Sequence, residues 1–270
     1  MEHFFEQGNQ ALPDSYLKTK IIAAIPAYNE VANISKIVQD TRKYVDQVIV
    51  IDDGSVDETN KVAEEAGAFV IRHKTNLGKG IAVNTAFQVA REIRPLAMVL
   101  LDGDGQHDPG AIHLLLKPIY REQADIVVGS RFLVNNHIPK YRVLGQTILN
   151  LCTNLGSGIR LSDTQSGFRA FSRRAIESLS FSEKRFAVES EMQFRAAERG
   201  LKVTEVPIIT NYNGKTKRSP VIHGFSVLFR VLKLTWNKYL TSNKRQQPTF
   251  DRQNVYLLKK NVPISETKER

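Results

Sequence analysis

A chain of 270 residues with 41% hydrophobic content is long enough for one large α/β domain and too apolar to be a disordered polymer. The single cysteine, Cys152, excludes a disulfide framework; no uncharged apolar run approaches the roughly 20 residues that cross a bilayer, and no basic-then-apolar signal peptide opens the chain. The net charge of +10 is unevenly spread, −5 over residues 1–130, +11 over 131–240 and +4 over 241–270, so the first half suits a cation and the second an anion, with nucleic acid and an anionic membrane surface both open.

Residues 1–19 read as an arm. Ile21–Pro26 then forms a short apolar strand, and Val31–Tyr44 has helical spacing with Asn33 in capping position. Gln47–Asp52 is a second strand, followed by a helix over 57–66, a strand over 68–72 and a helix over 79–91. Leu96–Leu101 is the central strand, then come a helix over 111–121 and a strand over 126–130. Strands separated by helices of this length imply a mostly parallel sheet, whose ligands bind beyond the strand C-terminal ends. The second half predicts helices over 142–155, 173–179 and 188–199, a strand over 203–209, a basic loop with Lys215, Lys217 and Arg218, and a helix-like segment over 220–240. After Thr241 the chain turns polar and basic, as a tail does.

Each suggestive motif of the first half sits at a strand end. Leu101-Asp102-Gly103-Asp104-Gly105-Gln106-His107-Asp108 delivers two carboxylates one residue apart, with a carboxamide and a third acid close behind. Like charges so crowded repel, and a shared cation relieves them; oxygen-only donors suit Mg2+ or Mn2+. Loop carboxylates also form turns, and placement after a buried strand favours the metal. Pro26-Ala27-Tyr28-Asn29-Glu30 closes the first strand, with Glu30 suited equally to a ligand or to a helix's first turn. Asp52-Asp53-Gly54-Ser55 closes the second, with Asp53 as the acid aimed at a ligand and Ser55 or Asp57 as helix caps. In Asn76-Leu77-Gly78-Lys79-Gly80, two glycines open the backbone to a phosphate and Lys79 supplies countercharge at a helix N-terminus.

These motifs, followed by Gly129-Ser130-Arg131 and Ser166-Gly167-Phe168-Arg169, occur in one order over residues 20–240. In that order the chain resembles family 2 glycosyltransferases and, within them, the dolichyl/polyprenyl-phosphate sugar synthases. The resemblance implies a GT-A fold, an α/β domain with a Rossmann-like mixed sheet, divided into a nucleotide-sugar and metal half (20–130) and an acceptor half (131–240). It implies that Pro26, Tyr28, Glu30 and Asp53 line the nucleoside pocket together with Lys79, Asp102 and Gly103. Asp102, Asp104 and Gln106 would hold Mg2+ or Mn2+, and Arg131, Arg142 and Arg169 the acceptor phosphate. Asp104, Arg131 and Lys79 would be the catalytic residues. His107 and His223 are read as structural, and Glu191, rather than Glu189, as a wall of the site.

The expected reaction is an inverting transfer of a sugar from a nucleotide sugar to a polyprenyl or dolichyl phosphate, by an enzyme lying peripherally on the cytosolic face of a membrane. The segment Ser219-Pro220-x-x-His223-Gly224 is similar to archaeal-type synthases that use UDP-sugars, which favours UDP-glucose or UDP-N-acetylglucosamine over GDP-mannose. Leu144–Leu155, Phe225–Leu240 and the Lys215/Lys217/Arg218 loop are the expected lipid contacts, with core packing the competing reading for 220–240. Two alternatives stand beside this reading. A family 2 transferase with a soluble saccharide acceptor would need a base near Asp163 or Glu191. A non-enzymatic basic protein would bind anionic membrane or nucleic acid, although the acidic strand-end cluster argues against phosphate there, and nucleic acid is not the expected partner.

Overall fold

The computed structural model describes residues 20–134, 140–183, 187–210, 230–231 and 255–257, with backbone alone at 140–142, 144 and 255–257. The expected basic loop, nearly all of the 220–240 segment and His223 lie outside these residues.

The first half alternates as its patterning demands. Strand β1 (Ile21–Ala27) leads to helix α1 (Ile34–Thr41), β2 (Gln47–Asp52) to α2 (Thr59–Glu65), and β3 (Phe69–His73) to α3 (Lys79–Ile93). Then β4 (Ala97–Leu100) passes through a 3-10 turn into α4 (Ile112–Tyr120), and β5 (Ile126–Ser130) into α5 (Lys140–Ser157). The remainder is β6 (Arg169–Ser172), α6 (Arg173–Ser178), α7 (Val188–Glu198), β7 (Val203–Pro207) and β8 (Val255–Leu257). Among the described residues no helix is long and apolar enough to cross a membrane.

Among the described residues eight strands form one sheet in the order β7-β5-β6-β4-β1-β2-β3-β8. Pairs β4–β1, β1–β2, β2–β3 and β5–β7 are parallel, whereas β6 runs antiparallel between β4 and β5, and β8 antiparallel to β3. The order reverses at β1: β2 leaves on one side and β4 returns on the other, so their C-terminal ends open a crevice beside β1. Strand parity divides the core. Ile22 and Ala24 pack with Ile49 and Ile51 against α3, α6 and α7, while Ala23 and Ile25 pack with Val48 and Val50 against α1 and α4. Phe87 anchors the first layer, its ring edge-on to Phe171 at 4.9 Å and to Phe181 at 5.0 Å.

Two strands escaped the sequence reading. β6 is four residues long and alternates Arg169 and Phe171 with Ala170 and Ser172, too short a run to announce itself. β8 falls in the segment expected to be a tail. Asn33 does stand at the start of α1, but its side chain makes no cap; its Nδ2 donates to Glu30 Oε2 at 3.3 Å. Ser55 does not cap α2 either: its hydroxyl accepts the Asn29 N–H at 2.9 Å, while Asp57 Oδ1 accepts from Thr59 N–H at 3.0 Å.

The loops at the strand ends are stitched together. Asn29, in the left-handed region at φ 55°, accepts the Val56 N–H on its Oδ1 at 2.9 Å. Gly54 (φ 71°) lies so close to the Thr75–Asn76 backbone that a Cβ would come within 2.4 Å of the Thr75 carbonyl carbon. Gly54→Ala is therefore expected to destabilise the protein by about 2 kcal/mol or more, measurable as a fall in urea midpoint; an unchanged midpoint would contradict this close approach.

Candidate active site

The centre is a charge cluster at the ends of β4 and α3. Gly78, at φ 101° and ψ 153°, turns the chain into α3, so that Lys79 is its first residue. Lys79 Nζ bridges Asp102 Oδ1 and Glu189 Oε1, both at 2.6 Å. Burial opposes the ammonium charge, but Asp102 and Glu189 outweigh it and hold the Lys79 pKa above its ordinary value. Burial likewise pushes against ionised Asp102, and Lys79 overcomes it, holding that carboxyl below its usual range. His107 Nε2 stands 3.8 Å from Asp102 Oδ2, too far for a hydrogen bond, and its ring packs on Phe168 at 5.2 Å. Its Nδ1 is buried and makes no hydrogen bond among the described residues, so the structural hydrogen bonds expected of His107 are not what seats it.

Asp104 behaves oppositely. Burial first, then the charge of Asp102, raise its pKa, so the second acid lacks the compensation that the first enjoys. Gln106 supplies a partial remedy: its N–H donates to Asp104 Oδ1 at 3.0 Å and its Nε2 to Oδ2 at 2.7 Å. Room for Asp102 comes from Gly167, where a Cβ would lie 2.5 Å from Asp102 Oδ2.

Among the described residues no three His, Cys, Asp or Glu side chains converge as a complete metal cage. What Asp102, Asp104 and Gln106 offer is two carboxylates and a carboxamide oxygen, the hard donors that Mg2+ and Mn2+ prefer. Lys79 pairs directly with Asp102 and Glu189, while the pKa of Asp104 beside them is raised by burial first and by the charge of Asp102 second. The donor set fits a divalent cation in kind.

Other predicted residues are placed differently from expectation. Asp53 is only 4% exposed and turned inward: its Oδ1 accepts from Leu77 N–H at 3.0 Å and contacts His73 Nδ1 at 2.7 Å, and its Oδ2 accepts from Gly78 N–H at 2.8 Å. It fixes the turn that presents Lys79. The neighbouring Asp52 is also buried, its pKa raised by burial despite the Ser55 N–H at 3.0 Å and Arg72 Nε at 3.1 Å. Pro26, Tyr28 and Glu30 line the end of β1, all half-buried, and Gly103 packs 3.4 Å from Ala27 Cβ and the Pro26 carbonyl, measured from the Cβ position it lacks.

Arg131 is held by a buried acid. Its Nε and Nη2 donate to Asp163 Oδ2 and Oδ1 at 2.6 and 2.8 Å, and its backbone N–H to Oδ2 at 3.1 Å. Asp163 is fully buried. Arg131→Ala therefore strands a carboxylate without its cation, and a stability loss of about 3 kcal/mol is expected. Equilibrium unfolding checks it; a variant as stable as the parent would contradict the pairing.

Arg169 corrects the reading of it as an acceptor clamp. It is 1% exposed, and its guanidinium donates to the carbonyls of Ser166 at 2.8 Å, Thr164 at 2.7 Å and Glu189 at 3.1 Å. Burial lowers its pKa against the pull of Glu189, Asp163, Glu205 and Asp102, so it is a buried strut between the acidic groups. Arg142 lies in the first turn of α5, where only the backbone is described.

The choice of Glu191 as site wall is also corrected. Residues two apart on α7 diverge by about 200°, and Glu189 is the one facing Lys79. Glu191 turns away to accept the N–H groups of Ser182 at 2.9 Å and Glu183 at 2.8 Å and to pair with Arg195 at 3.1 Å. Glu189 was missed because helical period says that one of the two faces the cleft and not which.

Residues 22–180 match the profile of Glycosyl transferase family 2. The UDP-N-acetylglucosamine–dolichyl-phosphate N-acetylglucosaminyltransferase of Methanococcus voltae is 33% identical, over 82% of this chain and 98% of the relative. The undecaprenyl-phosphate mannosyltransferase of Micrococcus luteus is 29% identical, over 77% and 91%. Among solved structures, glucosyl-3-phosphoglycerate synthase from Mycobacterium tuberculosis, in complex with Mn2+, UDP and glucosyl-3-phosphoglycerate, superposes with a TM-score of 0.64 at 20% identity, over 83% and 81% of the two chains. At that identity the last likeness speaks for the fold alone, which is GT-A-like.

Proposed function

The chain belongs to glycosyl transferase family 2, and from that premise we propose that it transfers a sugar from a nucleotide diphosphate sugar to a polyprenyl or dolichyl phosphate at a membrane surface. The observation that most favours a phosphate acceptor is the state of the two carboxylates a hydroxyl acceptor would draw on. Asp163 is consumed by Arg131, and Glu191 by Ser182, Glu183 and Arg195. A phosphate monoester has a second pKa near about 6 and attacks already ionised, so it needs no base. The acceptor oxygen forms the new bond to the anomeric carbon as the bond to the diphosphate oxygen breaks on the opposite side, with inversion.

In this reading Asp102, Asp104 and Gln106 hold Mg2+ or Mn2+, which when bound supplies positive charge to the leaving diphosphate. Lys79 adds its ammonium from the start of α3, kept charged by Asp102 and Glu189. Pro26, Tyr28 and Glu30 border the nucleoside, and Asp53 acts from behind by fixing the Leu77–Gly78 turn. Arg131, preorganised by Asp163, meets the acceptor phosphate, with Arg142 as its second cation. The division into donor and acceptor halves follows the same line. UDP-glucose or UDP-N-acetylglucosamine is the preferred donor over GDP-mannose, a choice supported by the Methanococcus relative and by the Ser219–Gly224 segment. The enzyme works peripherally, on the cytosolic face where nucleotide sugars are made.

Incubation with a panel of radiolabelled nucleotide sugars, Mn2+ and a short polyprenyl phosphate tests this. Label should pass into the organic-extractable lipid from a UDP-sugar. Transfer only to soluble saccharides would overturn the acceptor assignment, and transfer only from GDP-mannose the donor assignment.

A further inference from the structure

Helix α5 packs inward through Leu149, which meets Ala187, Phe194 and Val231, and through a row of polar side chains. In that row Asn150 Nδ2 donates to the Ser162 carbonyl at 2.5 Å while its Oδ1 accepts the Thr164 N–H at 3.0 Å. One turn on, Asn154 Nδ2 donates to the Leu161 carbonyl at 2.8 Å and its Oδ1 accepts from Gln193 Nε2 at 2.9 Å. Thr153, fully buried, shares a hydrogen bond with Ser190 at 3.3 Å. The outward face is aliphatic: Ile148, Leu151 and Leu155 are 46%, 58% and 71% exposed, and their spacing of three and four residues aligns them in one stripe. A helix that met only water would not turn three large aliphatic side chains outward in line, and such an exposed stripe marks an interaction surface.

We propose that this stripe docks on an anionic lipid bilayer, with α5 lying in the plane of the headgroups. The charge around it selects that occupant. Lys140–Ser157 contains no acidic residue, Lys140 and Arg142 open the helix, Arg160 stands exposed just beyond its end, and residues 131–240 together carry +11. A basic-flanked amphipathic helix is attracted to anionic headgroups, whereas a second copy of the same chain would bring like charges together. The opposite face of the helix holds the 161–164 loop, whose Asp163 grips Arg131. Docking therefore sets the acceptor side of the site against the membrane, which is where a lipid phosphate would enter. The inference rests on the lipid-phosphate reading for its purpose but is measured apart from it.

The test is flotation with vesicles of phosphatidylglycerol and phosphatidylcholine, using the wild-type chain and the double variant Leu151→Glu/Leu155→Glu. Both side chains point outward, so the variant should melt with the wild type. Wild type should float with the anionic vesicles and the variant bind at least tenfold more weakly. Transfer to a long polyprenyl phosphate embedded in vesicles should fall by a similar factor, while transfer to a short water-soluble polyprenyl phosphate stays unchanged. Flotation lost in the variant, with no transfer by wild type to either acceptor, would support the docking face and sink the lipid-phosphate reading. Equal flotation of the two proteins would overturn the docking face, as would a wild-type dimer that the variant splits without change in vesicle binding.

Discussion

Asp104→Asn is expected to lower kcat by a factor on the order of 10² to 10³, the usual loss when one charged stabiliser of a transition state is removed. Its fold should survive, and in metal-free buffer should be as stable as the parent or slightly more so. The two expectations share one cause. Asp104 is buried beside Asp102, and both burial and that neighbouring charge raise its pKa, so the native state is strained by ionising it. An amide removes that repulsion and keeps an oxygen for the Gln106 N–H at 3.0 Å. Gln106 would need only to turn its carboxamide over to meet the new Nδ2. Activity is the loss, because the oxygen that would hold the divalent cation no longer carries charge. Steady-state kinetics with a UDP-sugar and thermal melts in EDTA check the two halves. A variant that is fully active in metal-depleted buffer would contradict the assignment.

Arg169→Met is expected to cost about 3 to 5 kcal/mol of stability, the range for removing one partner from a buried charged network. The methionine fills much of the space but leaves the carbonyls of Thr164, Ser166 and Glu189 without their donor. Four acids, Glu189, Asp163, Glu205 and Asp102, also lose the cation whose field they share. Because the Glu189 backbone is one of the groups released, the Lys79–Glu189 contact loosens and kcat falls with stability. Denaturant titration measures the first effect and steady-state kinetics the second. Were Arg169 an acceptor clamp, the variant would keep its stability and raise only the KM for acceptor; that outcome would contradict the buried-strut account.

Most of the frame was readable because buried parallel strands are short apolar runs, and the stretches around Ile21, Val48 and Val99 are such runs. The acids at their ends were readable as positions, because a polar run must follow where a buried strand emerges, though not as roles: Asp53 proves to fix a turn. What could not be read was the direction in which a motif residue turns. Asp53 follows a strand, as a ligand contact would, yet three donors within its own fold claim it. Arg169 lies in a segment that reads as a loop motif, and only the antiparallel insertion of β6 between β4 and β5 buries it. Glu189 and Glu191 differ by the roll of one helix, set by the Ser182–Glu183 backbone and by Arg169, neither of which is local to the pair. The outward aliphatic stripe of α5 was half visible, as an amphipathic pattern whose inner side only tertiary contacts identify.

The most direct measurement of the central claim is a single-turnover transfer assay with enzyme in excess over labelled UDP-sugar, polyprenyl phosphate as acceptor, and either Mn2+ or EDTA. The account predicts lipid-linked sugar phosphate with Mn2+ and background alone with EDTA. Equal product in both, or product with polyprenol in place of its phosphate, would contradict it.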